Sequence, residues 1–347
     1  MTAKTVFAYR DAGVDIDRAD AAKKRIKALA RQTFTPEVAS EIGTFGGLFR
    51  LKRKGRSRPI LVSSVDGVGT KLKIAFATGV HHTVGRDLVA HCVNDILVQG
   101  ATPLFFMDYI ATHRMEPEVI AKVVEGIASG CRESGCALLG GETAEMPGFY
   151  SSGEYDLAGF IVGLVDQSRL LDGQRIRPGD AILGLASTGL HTNGYSLARK
   201  LLFEVGGYEV GSKLPRLPLP LGEVLLQPHR NYLSLLKPLL DRGRLSGLAH
   251  ITGGGLTDNL PRILPGGCSA HIQLNSWTEP PIFGVLQELG RIDEAEMLRT
   301  FNMGIGMALI VSPGEVSKVE ENLARSGEPL YRIGEIRSGK RRVYYRR

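Results

Sequence analysis

Cysteine is scarce in this chain. Four occur in 347 residues, Cys92, Cys131, Cys136 and Cys268, and none forms a C-x-x-C pair or adjoins a histidine cluster. A disulfide framework and a zinc site are therefore not expected; reduced, buried thiols in a cytosolic protein fit the pattern. Long apolar runs are missing as well, and no stretch approaches the ~20 residues that cross a bilayer. Residues 1–20 carry charges and no apolar core, so they read as neither a signal peptide nor an anchor. No low-complexity tract stands out. The expected setting is the cytoplasm, with no membrane partner.

What is present is a globular composition. Hydrophobic residues make up 43% and charged residues 23%, enough for packed cores and too apolar for a disordered chain. The length suggests roughly two domains. Glycine is abundant, at 43 residues, which points to tight turns and backbone-lined sites. The net charge of +7 suits nucleic acids, acidic membranes or phosphorylated metabolites. Much of it gathers at residues 52–58 and 340–347, both beside apparent strands and both read as solvated surface. No nucleic-acid-binding module accompanies these runs, so specific nucleic-acid recognition is not expected.

One stretch organises the rest. Residues 59–62 read as a short buried strand, followed by Ser63-Ser64-Val65-Asp66-Gly67-Val68-Gly69-Thr70-Lys71. The two glycines let a ligand approach the backbone. An acid, a hydroxyl and a lysine in so few residues suit a metal–polyphosphate group, Asp66 taking Mg²⁺ and Lys71 the phosphate oxygens. A glycine-rich hairpin with a solvated Asp and Lys is the plainer alternative. The spacing is not that of a Walker A loop.

Along the chain, Asp17 or Asp20 caps an expected helix through about residue 32, with Ile26 and Leu29 on its apolar side. Lys27 is its candidate for reaching a phosphate. Gly43-Thr44-Phe45-Gly46-Gly47 reads as a hinge or lid. Residues 71–76 read as a strand or strand end, and 87–99 as a buried helix interrupted by Asn94 and Asp95. A buried helical Asp needs a partner or a metal, although capping a neighbouring helix would also serve. A strand is expected at 103–110, a helix at 117–134 and another strand at 137–139. That last strand ends in Gly140-Gly141-Glu142-Thr143-Ala144-Glu145. Asp66, Asp95, Glu142 and Glu145 are thus candidate Mg²⁺ ligands around a nucleoside triphosphate.

Turn signals between 166 and 180 mark a domain boundary; the working division is 1–170 and 171–347. A strand at 181–186 then delivers a loop holding His191 and Asn193 before a helix, an anion-binding arrangement. His191 is a candidate acid–base group, or simply a loop residue with a local hydrogen bond. The strand–glycine–helix theme recurs at Gly253-Gly254-Gly255. A helix broken near Pro228 is expected over 221–240, and strands at 332–336 and 343–345.

Several motifs occur together in one order: Y-R-D-A-G-V-D-I-D at 9–17, D-G-V-G-T-K-L at 66–72, C-V-N-D-I-L-V-Q-G-A at 92–101, G-G-E-T-A-E-M-P-G at 140–148, H-T-N-G-Y-S-L at 191–197, H-I-T-G-G-G at 250–255 and R-T-F-N-M-G-I-G at 299–306. In these the chain resembles the aminoimidazole ribonucleotide synthetase family, the phosphoribosylformylglycinamidine cyclo-ligases, over nearly its whole length. It departs in having Ser64-Val65 before Asp66 and Leu190-His191-Thr192, where Gly-Thr and Pro-His-Ser are common. The resemblance implies a two-domain α/β subunit. Its N-terminal mixed sheet would join that of a dimer mate in a barrel, and its C-terminal domain would be an α/β layer. It implies a homodimer that uses ATP to convert formylglycinamidine ribonucleotide to aminoimidazole ribonucleotide, the fifth step of purine synthesis. On that basis Asp66, Asp95, Glu142 and Glu145 are expected at Mg²⁺. Lys27, Phe45, Gly46, Gly67, Gly69, Thr70, Lys71, Asn94 and Thr143 are expected at ATP, and His191, Asn193, Gly254, Gly255 and Asn302 at the ribonucleotide. His191, Lys71 and Asp66 are the expected catalytic residues. A small-molecule kinase of the same superfamily, or a silent nucleotide-binding regulator with its basic tail on RNA, are the competing readings.

Overall fold

The computed structural model describes residues 7–52 and 58–347, without the side chains of Arg18 and Asp20. Most of the basic run at 52–58, and the side chain of Asp20 as a helix cap, lie outside the described residues. Two mixed sheets with helices packed on them make an α/β fold, as the resemblance implied. No helix among the described residues is long and apolar enough to cross a membrane.

The first sheet holds β1 (Gly47–Arg50), β2 (Pro59–Gly67), β3 (Thr102–Thr112), β4 (Ala137–Glu145) and β5 (Tyr155–Asp166), in the order β1-β2-β5-β3-β4. All pairs are antiparallel except β3 with β4. That parallel pair needs a crossover, and α4 (Pro117–Ser134) provides it. Ahead of it lie α1 (Ile16–Arg31), α2 (Leu72–Thr78) and α3 (His82–Leu97).

The helix α3 packs on the sheet and on α4. Two glycines make the helix crossing close. A Cβ on Gly126 would stand 1.9 Å from the His82 carbonyl, and one on Gly85 2.2 Å from that of Val123. Every residue from Asp87 to Leu97 is buried, so α3 is a core helix and not an amphipathic one. The opposite face of the sheet carries exposed apolar side chains: Val65, Leu104, Met107, Leu139 and Phe160.

Two local expectations fail here. The run at 71–76 is a helix, not a strand; Leu72, Ile74 and Ala75 are buried and Gly79 ends it at φ +70°. Packing of its apolar residues outweighs the strand preference of one β-branched residue. In α1, Ile26 and Leu29 are 53% and 64% exposed. The helix forms from its charged, helix-favouring residues rather than from an apolar seam, and Lys27 and Arg31 tie it to Glu41.

Residues 167–180 lead to the second sheet, with Leu171 and Ile176 of this connection buried. It holds β6 (Ala181–Ala186), β7 (Gly247–His250), β8 (Cys268–Gln273), β9 (Ile305–Val311), β10 (Leu330–Ser338) and β11 (Val343–Arg346), in the order β11-β8-β10-β6-β9-β7. The expected helix over 221–240 is two, Leu221–Leu225 and Leu233–Asp241, separated by an irregular segment that begins before Pro228. That segment, residues 226–232, is pressed against α3 and builds part of the site.

Candidate functional site

Side chains from both sheets meet between β2 and α3. Asp66 sits near the end of β2, where its Oδ1 accepts the N–H of Gly67 at 2.7 Å. Ser64, two residues earlier, shares its face. On α3, His91 and Asp95 are four residues apart and so project to one side. His91 Nε2 lies 2.8 Å from Asp66 Oδ2. Asp95 Oδ2 lies 3.0 Å from Ser64 Oγ, and its Oδ1 lies 2.9 Å from Nδ1 of His250 at the end of β7. His250 Nε2 is 2.9 Å from His229 Nε2. His229 Nδ1 is 3.3 Å from Thr192 Oγ1, which is 2.8 Å from His91 Nδ1. His191 stacks on His229 with ring centroids 4.0 Å apart. Four of the eight histidines thus converge on two carboxylates.

Their charges differ. Burial works against a proton on His91, but Asp66 beside it, with Asp95 and Asp87 nearby, outweighs burial and raises its pKa to about 9. Burial likewise opposes the charge of Asp66, yet His91 and the Gly67 N–H hold its pKa below the ordinary value. Burial and cationic neighbours push His191 and His229 well below theirs, and burial lowers His250 despite Asp95. With His91 charged and the other three neutral, the donors run one way. His91 donates to Thr192, Thr192 to His229, His229 to His250, and His250 to Asp95.

Beneath this ring the two halves of the chain are pinned together. Lys71 and Asp87 form an ion pair at 2.7 Å with both side chains wholly buried. Lys71 Nζ also donates to the carbonyls of His191 and Gln227, at 3.1 and 2.8 Å. Asp87 Oδ1 accepts the N–H of His229 at 2.6 Å. Asn94 donates to the Arg230 carbonyl at 2.8 Å and accepts from the Tyr232 N–H at 3.1 Å. These contacts correct two expectations. Lys71 has three donors and three protein acceptors, so its ammonium does not face a phosphate. Both ends of the Asn94 amide are occupied by backbone, so it holds the 230–232 segment rather than a nucleotide.

The remaining expected residues divide. Asp66 and Asp95 each bond to a member of the histidine cluster, and the Asp66 side chain is 39% exposed. Thr70 Oγ1, just after Gly69 at φ +60°, meets Ser196 Oγ of the second half at 3.0 Å. Phe45 is buried, its carbonyl 3.3 Å from Ser64 Oγ. Gly46 is packed so closely that a Cβ there would stand 2.6 Å from Gln99 Oε1. Asn193 lies beside Gly253, and Gly255 is required by the Leu298 carbonyl, which a Cβ would approach to 2.1 Å. Gly254 has φ +99°. His191, at φ +61°, is buried behind His229 and its Nε2 accepts the Thr188 N–H at 3.2 Å. It is neutral, and the bond to Thr188 is the local hydrogen bond of the plainer alternative offered for this loop residue. Asn302 braces the 187–194 loop, accepting from Ser187 and Gly304 and donating to Gly189.

Four expected residues stay away from the cluster. Lys27 pairs with Glu41 at 3.4 Å on the exposed helix α1. Glu142 and Thr143 are exposed on β4, the edge strand three places from β2, about 14 Å across the sheet. The register aligns Asp66 with Gly159, Asp108 and Gly141, so Glu142 projects from the opposite face. Glu145 accepts the Met115 N–H at 2.7 Å. The α4 crossover sets β4 beside β3, and an acid following glycines carries no record of that strand order. His91, His229, His250, Thr192 and Ser64 were not foreseen as site residues. The i, i+4 spacing of His91 and Asp95 on a buried helix was the signal for one of them.

The comparisons accord with this architecture. Residues 50–165 match the family model of the AIR synthase related protein N-terminal domain, and residues 177–346 that of the C-terminal domain. The phosphoribosylformylglycinamidine cyclo-ligase of Trichlorobacter lovleyi is 53% identical over 330 residues, 95% of each chain. That of Sorangium cellulosum is 54% identical, covering 94% of each. Among solved structures, the thiamine-monophosphate kinase of Stenotrophomonas maltophilia shares the fold at a TM-score of 0.61 and 18% identity, over 91% of this chain and 93% of that one. PurL of T. maritima, complexed with AMPPCP, does so at a TM-score of 0.53 and 17% identity, over 81% of this chain and 40% of that one. The chain belongs to the AIR synthase family, among the phosphoribosylformylglycinamidine cyclo-ligases.

Proposed function

We propose that the cleft whose mouth carries Asp66 is where this chain closes an imidazole ring at the expense of ATP. The chain is an ATP-dependent cyclo-ligase of purine biosynthesis, making aminoimidazole ribonucleotide from formylglycinamidine ribonucleotide with release of ADP and phosphate. A formamide oxygen is a poor leaving group. Transfer of the γ-phosphoryl group to that oxygen gives an iminophosphate; the amidine nitrogen then attacks the carbon and phosphate departs. Positioning and charge neutralisation supply most of such catalysis.

The observation that carries this reading is that Asp66 and Asp95 bond to one cluster of histidines, Asp66 to His91 and Asp95 to His250, with the Asp66 side chain 39% exposed. Two carboxylates suit Mg²⁺, which is held by one or two such groups together with substrate phosphates. Asp66 and Asp95 would hold it, and it would neutralise phosphate charge; Glu142 and Glu145 are not placed to help within this subunit. His91 keeps Asp66 ionised. Asn193, Gly254 and Gly255, with the start of the helix at Tyr195, are the proposed seat of the substrate's own phosphate. Phe45 and Gly46 form the proposed cover.

We further propose a cytosolic homodimer that joins through the open apolar face of the first sheet, with the chain dividing near residue 170. An Asp66→Asn variant assayed for both ADP and ring product tests the site. Ring formation near the normal rate would refute the role of Asp66, and a lasting phosphorylated product without a ring would point to a kinase.

A further inference from the structure

Arg262 has no role so far. It ends the short turn Leu260–Arg262, seven residues after Gly255. Its guanidinium carbon lies 3.7 Å from the centre of the Phe45 ring. Its Nη1 donates to Asn259 Oδ1 at 3.0 Å, and Asn259 Nδ2 donates to the carbonyls of Gly253 and Gly255 at 3.2 and 2.9 Å. On the other side, the Phe45 carbonyl meets Ser64 Oγ, and Ser64 meets Asp95. The guanidinium is thereby tied to the glycine turn through Asn259 and to the acidic pair through Phe45 and Ser64.

Its own hydrogen bonding is incomplete. Of five N–H donors, one has a side-chain acceptor among the described residues. No carboxylate pairs with it there, although Asp95 and Asp66 are near enough to oppose the loss of charge that its burial favours. Together with Phe45 and Gln99 it lines a cavity of about 550 Å³. A half-buried guanidinium with unused donors is costly until an acceptor arrives. Its planar fork fits phosphate oxygens, two at a time.

We propose that Arg262 is a further phosphate-binding residue, taking oxygens of the phosphoryl group in transfer, with the Phe45 ring holding the guanidinium in place. Arg262 donates hydrogen bonds only. The bond from γ-phosphorus to the bridging oxygen breaks, the bond to the formamide oxygen forms, and no proton leaves the guanidinium. The proposal rests on the reading that Asp66 and Asp95 mark the phosphate end of the cleft.

The test compares Arg262→Ala, Arg262→Lys, Phe45→Leu and Asp66→Asn in the full-length enzyme with ATP and the formylamidine ribonucleotide. Arg262→Ala should lower kcat by about 100-fold, at the scale of one lost transition-state donor. The melting temperature should stay near that of the parent. Arg262→Lys keeps the charge but not the fork and should still lose about 10-fold. Phe45→Leu should lose less, in the same direction. Millimolar guanidinium should restore part of the turnover of Arg262→Ala and leave the parent enzyme unchanged.

The proposal fails if Arg262→Ala keeps kcat and the KM for ATP within about twofold. It also fails if turnover falls only with the melting temperature and guanidinium gives no rescue. Loss in Asp66→Asn beside full activity in Arg262→Ala removes Arg262 alone. The reverse pattern leaves Arg262 standing and removes the acidic site.

Discussion

The two ends of Asp66-Gly67-Val68-Gly69-Thr70-Lys71 have opposite fates. At one end the Asp66 side chain is 39% exposed. At the other, Lys71 is wholly enclosed by Asp87 and two carbonyls from the second half of the chain. Both residues are charged and five positions apart, and a motif reader assigns both to the same ligand. The turn at Gly69 separates them. The difference teaches that one glycine-rich stretch can present an exposed acid at its start and a structural pin at its end.

That contrast can be broken by mutation. The largest effect on stability should come from Lys71→Ala, which strands a buried Asp87. We expect a loss of about 3–5 kcal/mol in urea unfolding. Pairing it with Asp87→Leu should recover part of that loss, whereas a phosphate-binding Lys71 would show a rise in the KM for ATP with stability unchanged.

Asp66→Asn should weigh on turnover instead, cutting kcat by about 100- to 1,000-fold, with a loss in unfolding smaller than that of Lys71→Ala and present only at pH values where His91 is charged. At the crossing of α3 and α4, Gly126→Ala forces a methyl against the His82 carbonyl and should cost about 1–3 kcal/mol.

The His91–Asp66 pair sharpens the comparison by pH. The folded pKa of His91 is raised to about 9, above its ordinary value of 6.5. Its contribution is therefore complete below pH ~6.5 and fades as pH rises through ~9. Urea midpoints of the parent and His91→Gln should converge as pH rises from 6 to 9.5; a gap that stays constant would contradict the charge assigned to His91. The smallest effect belongs to Lys27→Ala. Its pair with Glu41 is exposed, and the loss should stay below about 1 kcal/mol.

Much of the architecture could be read in advance. The α/β class and the strands at 59–62, 103–110, 181–186 and 343–345 follow from apolar, β-branched runs closed by turn residues, although the first runs on to Gly67. The helix at 71–76 did not, because its period is set by what Leu72, Ile74 and Ala75 pack against. At the site, Asp66 and Asp95 were legible as acids in apolar surroundings. Glu142 had the same local appearance and lies on another face, because strand order is a tertiary property. Three of the four histidines gave little warning, His191 alone being singled out by its loop. His91, His191, His229 and His250 sit on a helix, two loops and a strand end, and only the folded chain brings them into contact.

The pin also governs how the molecule comes apart. Lys71 and Asp87 from the first half complete the backbone bonding of His191, Gln227 and His229 in the second, and Asn94 does the same for residues 230–232. Neither half can be pulled from the other without leaving charges and amides unmatched in an apolar interior. Heat or denaturant should thus melt both sheets in one cooperative transition, and a chain severed near residue 170 should yield fragments that each lack part of their core.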